Sequence, residues 1–508
     1  MPKASLSSLF VALLLLGLFG AAGAQQVREL VIAQGIDIPG FDVHDHNNTA
    51  VEAVHTNLFD YLLWRDAEGE WQPALATGWA PEGETAWRFT LREGVLWHDG
   101  EPFTAADVKF TLERVARDES LLEYGNYRQI REVEVVNDHE ILIHTEAPDP
   151  ILLNRLSRLG SSILPKHHVE AVGWDGFAVD PIGTGPFRFV EWRRDDRVVM
   201  EAFDEHWRGR PAWDRLVHRT IPEASTRVSE LLTGGVHIAT NIPTQDAARV
   251  EAGDVARVAP WPTARVMLFV VNTDEGGVTG DARVREAIDY AIDNQLLIDA
   301  LMGGLGTPVR GRVTPGISAV PMELYDSYLY DPEEAVRLLE EAGYGPGELT
   351  VSLQGPAGRY PLDAEIVELV GVMLEQVGVN VQLETLEWSA YLSRIWDVNQ
   401  VENLGLIGLG NSMFDGSLAL AALTCDGSYA ERTNWCNEDF ERLFYEAETE
   451  LDGERRAELL REAFYIVAEE RPMIFLFQLE NLAGVNVNVD WSPRPDEMLW
   501  MFDAQPAD

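Results

Sequence analysis

The side chains with the clearest capacity for chemistry in this sequence include one compact group. His44, Asp45 and His46 are consecutive, and imidazole and carboxylate groups are ordinary metal ligands. Two histidines that flank one residue in a loop are nevertheless more often polar surface than a metal-binding pair. We therefore predict that the protein holds no metal ion and no cofactor.

The sequence carries none of the motifs that mark common enzymes. It has no G-x-S-x-G elbow, no H-E-x-x-H, no Walker loop and no G-x-G-x-x-G that opens a helix after a strand. The segment Gly183-Thr184-Gly185-Pro186 resembles a dinucleotide loop only in its glycines, because Pro186 and the strand after it prevent the required helix. With 84 acidic residues, pairs of carboxylates are uninformative. We predict that the protein is not an enzyme.

The first 24 residues have the pattern of an export signal. Lys3 precedes an apolar run from Leu9 to Phe19, and the small residues 22–24 follow. The apolar run is too short to span a bilayer, which takes about 20 residues. We predict cleavage after Ala24 and a periplasmic mature protein, and no cysteine near that position offers a lipid anchor.

The composition is strongly acidic. The chain has 84 Asp and Glu residues against 39 Lys and Arg, a formal net charge of −45. Such a surface argues against nucleic acid and anionic membranes as partners, because both need clustered positive charge. It suits a protein kept soluble in concentrated salt, where screening weakens self-repulsion. We predict a halophilic source, with general acidity in an Arg-rich composition as the alternative.

Cys425 and Cys436 are the two cysteines of the chain. In an oxidising compartment such a pair is expected to form a disulfide. A short closed loop of this kind contributes roughly 2–3 kcal/mol in the chain-entropy model. A metal site is disfavoured because no histidine or third cysteine lies nearby.

Helical and strand patterns alternate along the chain, which favours an α/β protein with mixed sheets. Thr104 is predicted to cap a helix that runs to Arg117, with Asp107 at the capping-box position. Strands are expected at 29–33, 86–91, 132–136, 140–145, 187–192, 198–202, 216–221, 350–353, 380–385 and 404–408. Other helices are expected at 50–62, 225–233, 284–293, 332–342, 363–376 and 454–469.

Five segments resemble one known family in that family's order. The longest, at 87–115, reads WRFTLREGVLWHDGEPFTAADVKFTLERV. The others are PIGTGPFRFVEW at 181–192, DARVREAIDYAID at 281–293, YDPEEAVRLLEEAGY at 330–344 and LEQVGVNVQLETLEWSAYL at 374–392. They resemble the family 5 extracellular solute-binding proteins, the dipeptide-, oligopeptide- and nickel-binding components of ABC importers, with a pattern most like the dipeptide-binding branch.

The resemblance implies a periplasmic-binding-protein (Venus-flytrap) fold, in which two lobes close about a hinge and bury a ligand. It assigns the lobe I core to 27–57, 182–272 and 478–508, and lobe II to 273–477. An extra subdomain at 58–181 enlarges the first lobe. The chain is expected to cross between the lobes near residues 272 and 478.

The resemblance also implies how a peptide would be held, with an opposite charge at each of its ends. Arg359 falls where relatives place an arginine that pairs with a peptide carboxylate. A forked guanidinium suits that task, since it can donate two parallel hydrogen bonds. The alternative is a surface arginine neutralised by Asp363 or Glu365.

The segment from 405 to 436 resembles the part of dipeptide-binding relatives that holds an aspartate for the peptide ammonium group, followed by a disulfide loop. Counting back from Cys425, the ammonium position falls on Asn411, which is not an acid. Asp415 lies four residues on and is a candidate substitute. Alternatively, Asn411 hydrogen-bonds a neutral ligand, which would weaken the peptide assignment.

Further candidate ligand contacts come from two loops and three aromatic side chains. Aromatic residues at such positions belong to a core more often than to a ligand platform. The candidates are Gln34, Asp37, Asn48, Trp388, Tyr391 and Trp435.

We expect the chain to be the binding component of an ABC importer that captures a short peptide and delivers it to a permease in the inner membrane. We also expect a monomer, and a chemoreceptor is a second candidate partner. One alternative is the same fold binding a nickel chelate, an opine-like conjugate or an oligosaccharide. The other is a secreted hydrolase.

Overall fold

The computed structural model of the protein describes residues 27–46, 48–66, 69–158, 160–396 and 401–507, so the predicted signal peptide lies outside the described residues. The strands are β1 (Glu29–Gln34), β2 (Leu63–Arg65), β3 (Trp71–Pro73), β4 (Ala76–Pro81), β5 (Ala86–Leu91), β6 (Ile130–Asn137), β7 (Glu140–Thr145), β8 (Phe187–Arg193), β9 (Arg197–Ala202), β10 (Arg215–Thr220), β11 (Ile238–Ala239), β12 (Ala256–Val271), β13 (Thr307–Pro308), β14 (Thr350–Ala357), β15 (Asn380–Glu387), β16 (Leu404–Leu409), β17 (Met473–Asn486), β18 (Val489–Asp490) and β19 (Gln505–Pro506).

The helices follow the strands along most of the chain, and two short 3-10 turns lie at Val278–Gly280 and Met322–Leu324. The helices are α1 (Thr49–His55), α2 (Ala105–Arg117), α3 (Tyr124–Tyr127), α4 (Leu152–Arg155), α5 (Lys166–Phe177), α6 (Ala224–Leu232), α7 (Thr244–Glu251), α8 (Ala282–Ala291), α9 (Asn294–Leu301), α10 (Pro332–Glu341), α11 (Asp363–Gln376), α12 (Trp388–Trp396), α13 (Gly416–Ala421), α14 (Ala430–Thr433), α15 (Glu438–Thr449) and α16 (Gly453–Glu470).

A large sheet runs through the molecule in the strand order β15-β14-β16-β12-β17-β11-β1-β10-β9-β8, with β13 added beside β17. Strand β1 is parallel to β10 and β11, and β14 is parallel to β15 and β16. The remaining pairs in the sheet are antiparallel. The sheet is mixed and alternates with helices, which confirms the predicted α/β class.

Strands β12 and β17 are the two longest and join the halves of this sheet. They pair antiparallel along most of their length, but the register shifts between Pro262, opposite Glu480, and Val266, opposite Gln478. Before the shift β17 neighbours β11, and after it β12 neighbours β16. The strands therefore change partners near 262–266 and 478–480.

The buried apolar side chains form separate cores on either side of this shift. One core draws its buried members from Val266 to Leu479, and another from the segments around β1, β10, β11 and the C-terminal residues. A third lies between Leu62 and Ile163 and packs α2 against the four-stranded sheet β4-β5-β7-β6. These three cores are built from distinct stretches of sequence.

Helix α1 is shorter than the helix predicted over 50–62, because the chain after it pairs with the glycine-rich segment around 183–187. The carbonyl oxygens of Asn57 and Leu58 accept hydrogen bonds from Phe187 N and Gly185 N at 3.0 and 2.9 Å. A continuing helix would need those acceptors for itself. A Cβ on Gly185 would lie 2.5 Å from the Leu58 carbonyl carbon, so this close approach requires glycine.

A disulfide joins Cys425 to Cys436, as predicted. It closes the loop between α13 and α15 at the surface of the core that spans 266–479. Within the part of the chain that the structure describes, every helix is too short or too polar to cross a membrane.

Candidate functional site

Two neighbouring pockets lie close to the point where the long strands change partners. The smaller, about 170 Å³, is lined by Thr49, Ala264 and Arg265, by the segments 408–412 and 495–497, and by Phe414. The larger, about 510 Å³, is lined by the loop 36–39 after β1, by residues around His46 and Asn48, and by the β8–β9 turn. Consecutive residues at the start of α1 thus line both pockets, which places the two side by side.

Arg359 lies in the turn between β14 and α11, and Asp363 fixes that turn. The Asp363 carboxylate accepts hydrogen bonds from the backbone N–H groups of Gly358, Arg359 and Tyr360 at 2.9, 2.8 and 2.9 Å. It is buried, so these bonds are protected from water. Asp363 therefore binds the backbone of the turn and does not neutralise the arginine side chain.

The guanidinium of Arg359 packs on aromatic rings instead. Its central carbon lies 4.9 Å from the ring centroid of Tyr360 and 5.4 Å from that of Trp388. Among the described residues no carboxylate lies within 4.0 Å of it. Burial lowers the pKa of Arg359, and the nearby positive charge of Arg265 acts in the same direction. A half-buried guanidinium without a carboxylate partner is suited to a ligand carboxylate.

The Asn411 side chain is hydrogen-bonded within its own turn. Its Nδ2 donates to the carbonyl oxygen of Asp415 at 2.8 Å, and Asp415 N donates to Asn411 Oδ1 at 3.4 Å. Asn411 is only 3% exposed, although it lines the smaller pocket. Its amide thus closes the 411–415 turn, which forms one wall of that pocket.

Asp415 is neutralised from inside the protein. Both carboxylate oxygens accept hydrogen bonds from Arg456, at 2.6 and 2.8 Å, and they also accept from Ser417 N and Ser318 Oγ. Burial alone would raise the pKa of Asp415, but the bonds from Arg456 hold it below the usual range. This geometry gives Asp415 a structural role at the start of α13 and lends no support to its predicted role as an ammonium ligand.

Two arginines that the sequence analysis did not identify hold the pocket wall between Gly408 and Gly410. Arg265 Nη1 donates to Gly408 O at 2.9 Å, and Arg312 Nη2 donates to Gly410 O at 2.5 Å. Arg265 Nη2 also lies 3.4 Å from Glu497 Oε1, another residue that lines the smaller pocket. These residues are far apart in sequence and belong to no motif, so no local signal marks them.

The candidates from the two loops differ in where they lie. Asp37 and Asn48 line the larger pocket, whereas Gln34 does not line it. The Asp37 carboxylate already accepts hydrogen bonds from Trp192 Nε1 and Asp195 N, and Asn48 Oδ1 accepts from Ala50 N to cap α1. Gln34 is buried and donates to the Ile36 carbonyl oxygen at 2.9 Å. The polar groups of this pocket are largely committed to the loops that shape it.

Of the three aromatic candidates, only Trp388 lies beside Arg359 at the site. Tyr391 is buried and donates its hydroxyl hydrogen bond to Leu406 O at 2.8 Å. Trp435 is also buried, and its Nε1 donates to Glu470 at 2.6 Å beside the disulfide. Both belong to the hydrophobic core.

The extra segment between β5 and β8 contacts the same wall from the other side. Asn154 Nδ2 donates to Met413 O at 2.7 Å in a buried hydrogen bond. Arg155, which binds Asp149 at 3.1 Å, also lies 3.8 Å from Glu448. The 411–415 turn is therefore hydrogen-bonded to the segment between β7 and β8.

The histidines that could have formed a metal-binding pair each have one ring nitrogen in contact with another side chain of the protein. His44 Nδ1 accepts from Arg114 at 2.8 Å, and His46 Nε2 lies 3.1 Å from His55 Nδ1. Within the described residues no group of three or more His, Cys, Asp or Glu side chains could hold a metal ion.

Comparison with solved structures identifies the fold as that of the periplasmic binding proteins. The periplasmic binding protein DppA from Helicobacter pylori, solved in complex with the peptide STSA, superposes with a TM-score of 0.81 at 23% identity. The match covers 94% of this chain and 98% of that one. This similarity confirms the predicted fold class.

Sequence comparison then identifies the family. The model of the bacterial extracellular solute-binding proteins, family 5 (middle), matches residues 70–428, and the chain belongs to this family. The glutathione-binding protein GsiB of Salmonella typhimurium is 27% identical over 468 residues, which cover 89% of each chain. The dipeptide-binding protein of Escherichia coli is 26% identical over 485 residues, 90% of each chain. The family resemblance is confirmed.

Proposed function

We propose that this chain is the extracytoplasmic binding component of an ABC importer and captures a short peptide between two lobes. Arg359 carries the proposal, since its half-buried guanidinium has no carboxylate within ion-pair distance among the described residues and is in electrostatic range of Arg265 and Glu497, which line the smaller pocket. The C-terminal carboxylate of a peptide would supply the missing counter-ion. Relatives named for glutathione and dipeptide binding support the assignment.

The proposed lobes are those of the sequence analysis, with 27–57, 182–272 and 478–508 in the lobe I core, 58–181 in its extra subdomain and 273–477 in lobe II. The distinct buried cores support this division. The register shift in β12 and β17 supports a hinge near 262–266 and 478–480. Closure about that hinge would surround the ligand with the 411–415 turn and the start of α1.

The proposal includes export and delivery. Residues 1–24 would act as a signal peptide cleaved after Ala24, the mature monomer would work in the periplasm, and an inner-membrane permease would receive the ligand. A chemoreceptor is a second candidate partner. The acidic composition supports a halophilic source, and the protein would bind its ligand without hydrolysing it.

Asn411 favours a second candidate function, in which the ligand has no free ammonium group. An amide stands at the position expected for an acid, and its hydrogen-bonding groups are used within the 411–415 turn. A nickel chelate, an opine-like conjugate or an oligosaccharide would then occupy the same site.

Native mass spectrometry of protein purified without denaturation, from its own host, tests the proposal directly. We expect a co-purified mass that fragments as a short peptide. Thermal-shift assays with peptides, sugars and metal chelates give an independent result. If sugars or chelates stabilise the protein and no peptide does, the peptide assignment is wrong. Hydrolysis of a bound peptide, abolished by one Ser or carboxylate substitution, would overturn the binding-protein assignment itself.

A further inference from the structure

The carboxylates around the smaller pocket already have positive partners. Each of the three acids at its walls lies within ion-pair distance of a guanidinium from the protein. The pairs are Asp415 with Arg456 at 2.6 Å, Asp496 with Arg494 at 2.6 Å, and Glu497 with Arg265 at 3.4 Å.

Three further guanidiniums near the same pocket have no carboxylate within 4.0 Å among the described residues: Arg65, Arg312 and Arg359. Arg312 is 7% exposed and donates to backbone carbonyl oxygens, which do not neutralise its charge. Among the described residues, the guanidiniums around the pocket therefore outnumber the carboxylates that lie within ion-pair distance of them.

Arg65 shows where this excess of positive charge lies. Its guanidinium lies 4.0 Å from the ring centroid of Trp71 and 5.6 Å from that of Phe414, a residue of the pocket wall. Its Nε is buried and has no hydrogen-bond partner among the residues that the structure describes. Burial lowers the pKa of Arg65 to about 10, so the side chain is still charged at neutral pH. Asp415, Asp496 and Glu70 act on it electrostatically, but Asp415 and Asp496 are paired with Arg456 and Arg494, and none of the three lies within ion-pair distance of it.

This local excess is opposite in sign to the whole chain, whose formal net charge is −45. In a protein with 84 acidic and 39 basic residues, a random distribution of charged side chains would place a carboxylate beside most arginines. Buried or half-buried cations without counter-ions are costly, because desolvation disfavours the charged form. A ligand with more carboxylates than ammonium groups would remove that cost on binding.

We propose that the pocket selects anionic peptides, with one carboxylate on Arg359 and a second, from an acidic side chain, on Arg65. The inference rests on the proposed peptide-binding function and adds the class of peptide. It assigns Arg65 to selectivity and Arg359 to binding of every peptide.

Calorimetric titration of the wild-type protein with matched peptides tests this selectivity. The pairs Ala-Glu with Ala-Gln, Glu-Ala with Gln-Ala, and Ala-Glu-Ala with Ala-Gln-Ala differ only in one carboxylate. We expect at least one glutamate peptide to bind about tenfold tighter than its glutamine partner or better. Equal affinities within all three pairs would overturn the selectivity and leave peptide binding intact. Absence of binding by all six peptides would overturn both.

Variants then locate the second carboxylate. Arg65→Gln is expected to weaken the preferred glutamate peptide to the level of its glutamine partner, and Arg65→Lys to retain part of the preference. Arg442→Gln is the matched control, because Arg442 is 60% exposed on α15 and lines neither pocket. If Arg65→Gln folds, as judged by its thermal melting, and keeps the full preference, the assignment of Arg65 is wrong. If it does not fold, Arg65→Lys decides: a reduced preference that Arg442→Lys does not share supports the assignment, and the full wild-type preference contradicts it.

Discussion

The turns 358–363 and 411–417 each precede a helix that packs into the core spanning 266–479, and each contains an aspartate and a residue predicted to bind ligand. In the first turn, Asp363 binds three backbone N–H groups and leaves the Arg359 guanidinium without a carboxylate. In the second, the Asp415 carboxylate is bound by Arg456. One turn therefore presents a charge, and the other has its charge neutralised.

The two turns show that a charged residue is available to a ligand only if no residue elsewhere in the chain already pairs with it. Asp363 acts on its own turn, so the arrangement is local. The partner of Asp415 comes from α16, 41 residues further along the chain. A buried carboxylate that has such a partner contributes to the fold instead of to recognition.

The largest expected effect comes from breaking the ion pair of the second turn. Asp415→Asn deprives the buried Arg456 of the carboxylate to which it is hydrogen-bonded, and we expect a loss of about 3–5 kcal/mol in the free energy of unfolding, measured by chemical denaturation. Asp439→Asn, at a position 78% exposed, is the control and should change stability by less than about 0.5 kcal/mol. A loss below about 1 kcal/mol for Asp415→Asn would contradict the difference between the turns.

Removing the Arg359 charge, which the first turn presents, should change the affinity for the ligand. Arg359→Gln is expected to weaken peptide binding by about 2–5 kcal/mol, because a ligand carboxylate would lose its partner in a desolvated site. The free energy of unfolding without ligand should change little, since no protein carboxylate depends on this guanidinium. Calorimetry on the variant and on Arg442→Gln provides the measurement and its control. Unchanged affinity would remove Arg359 from the site.

A substitution at Asn411, in the second turn, is expected to have a smaller effect on stability. Asn411→Asp removes the Nδ2 donor to Asp415 O and places a carboxylate against that carbonyl oxygen, so we expect a loss of about 1–3 kcal/mol in stability. Affinity for free-amine peptides should not rise, because the side chain closes its turn. Tighter binding of a free-amine peptide than of its N-acetyl form, found only in the variant, would show instead that position 411 faces the ligand's amino end.

The acid dependence of stability is the smallest expected effect. The pKa of Asp415 is lowered from 3.8, so its ionised form stabilises the folded protein above that value, and the contribution is lost as the pH falls through the lower folded-state pKa. Thermal unfolding followed between about pH 5 and 2 should show a component that Asp415→Asn lacks. Parallel curves for the two proteins would contradict the ion pair.

Much of the fold follows from local patterns in the sequence. The helix at Asp363–Gln376 has its predicted bounds, and α2 begins after Thr104, with Asp107 accepting from Thr104 N at 2.9 Å as the capping box requires. The long strands β12 and β17 were missed. Pro260 and Pro262 argue against a strand, and the start of β17 is a continuous apolar run without alternation.

The site was less predictable, because its electrostatics depend on contacts between distant segments. Arg359 was identified through the family pattern, and in the structure neither Asp363 nor Glu365 lies within ion-pair distance of its guanidinium. Arg265 and Glu497 lie 232 residues apart and meet only in the folded chain. The pairing of Asp415 with Arg456 is equally invisible in the sequence, where both residues are surrounded by unrelated charges.

Calorimetric titration with Ala-Glu and with the same peptide as its C-terminal amide tests most directly whether Arg359 holds a peptide by its carboxylate end. We expect wild-type protein to bind the free acid at least about thirtyfold tighter than the amide, and Arg359→Gln to reduce this gap to about twofold or less. Equal affinity of the wild-type protein for the acid and the amide would contradict this prediction.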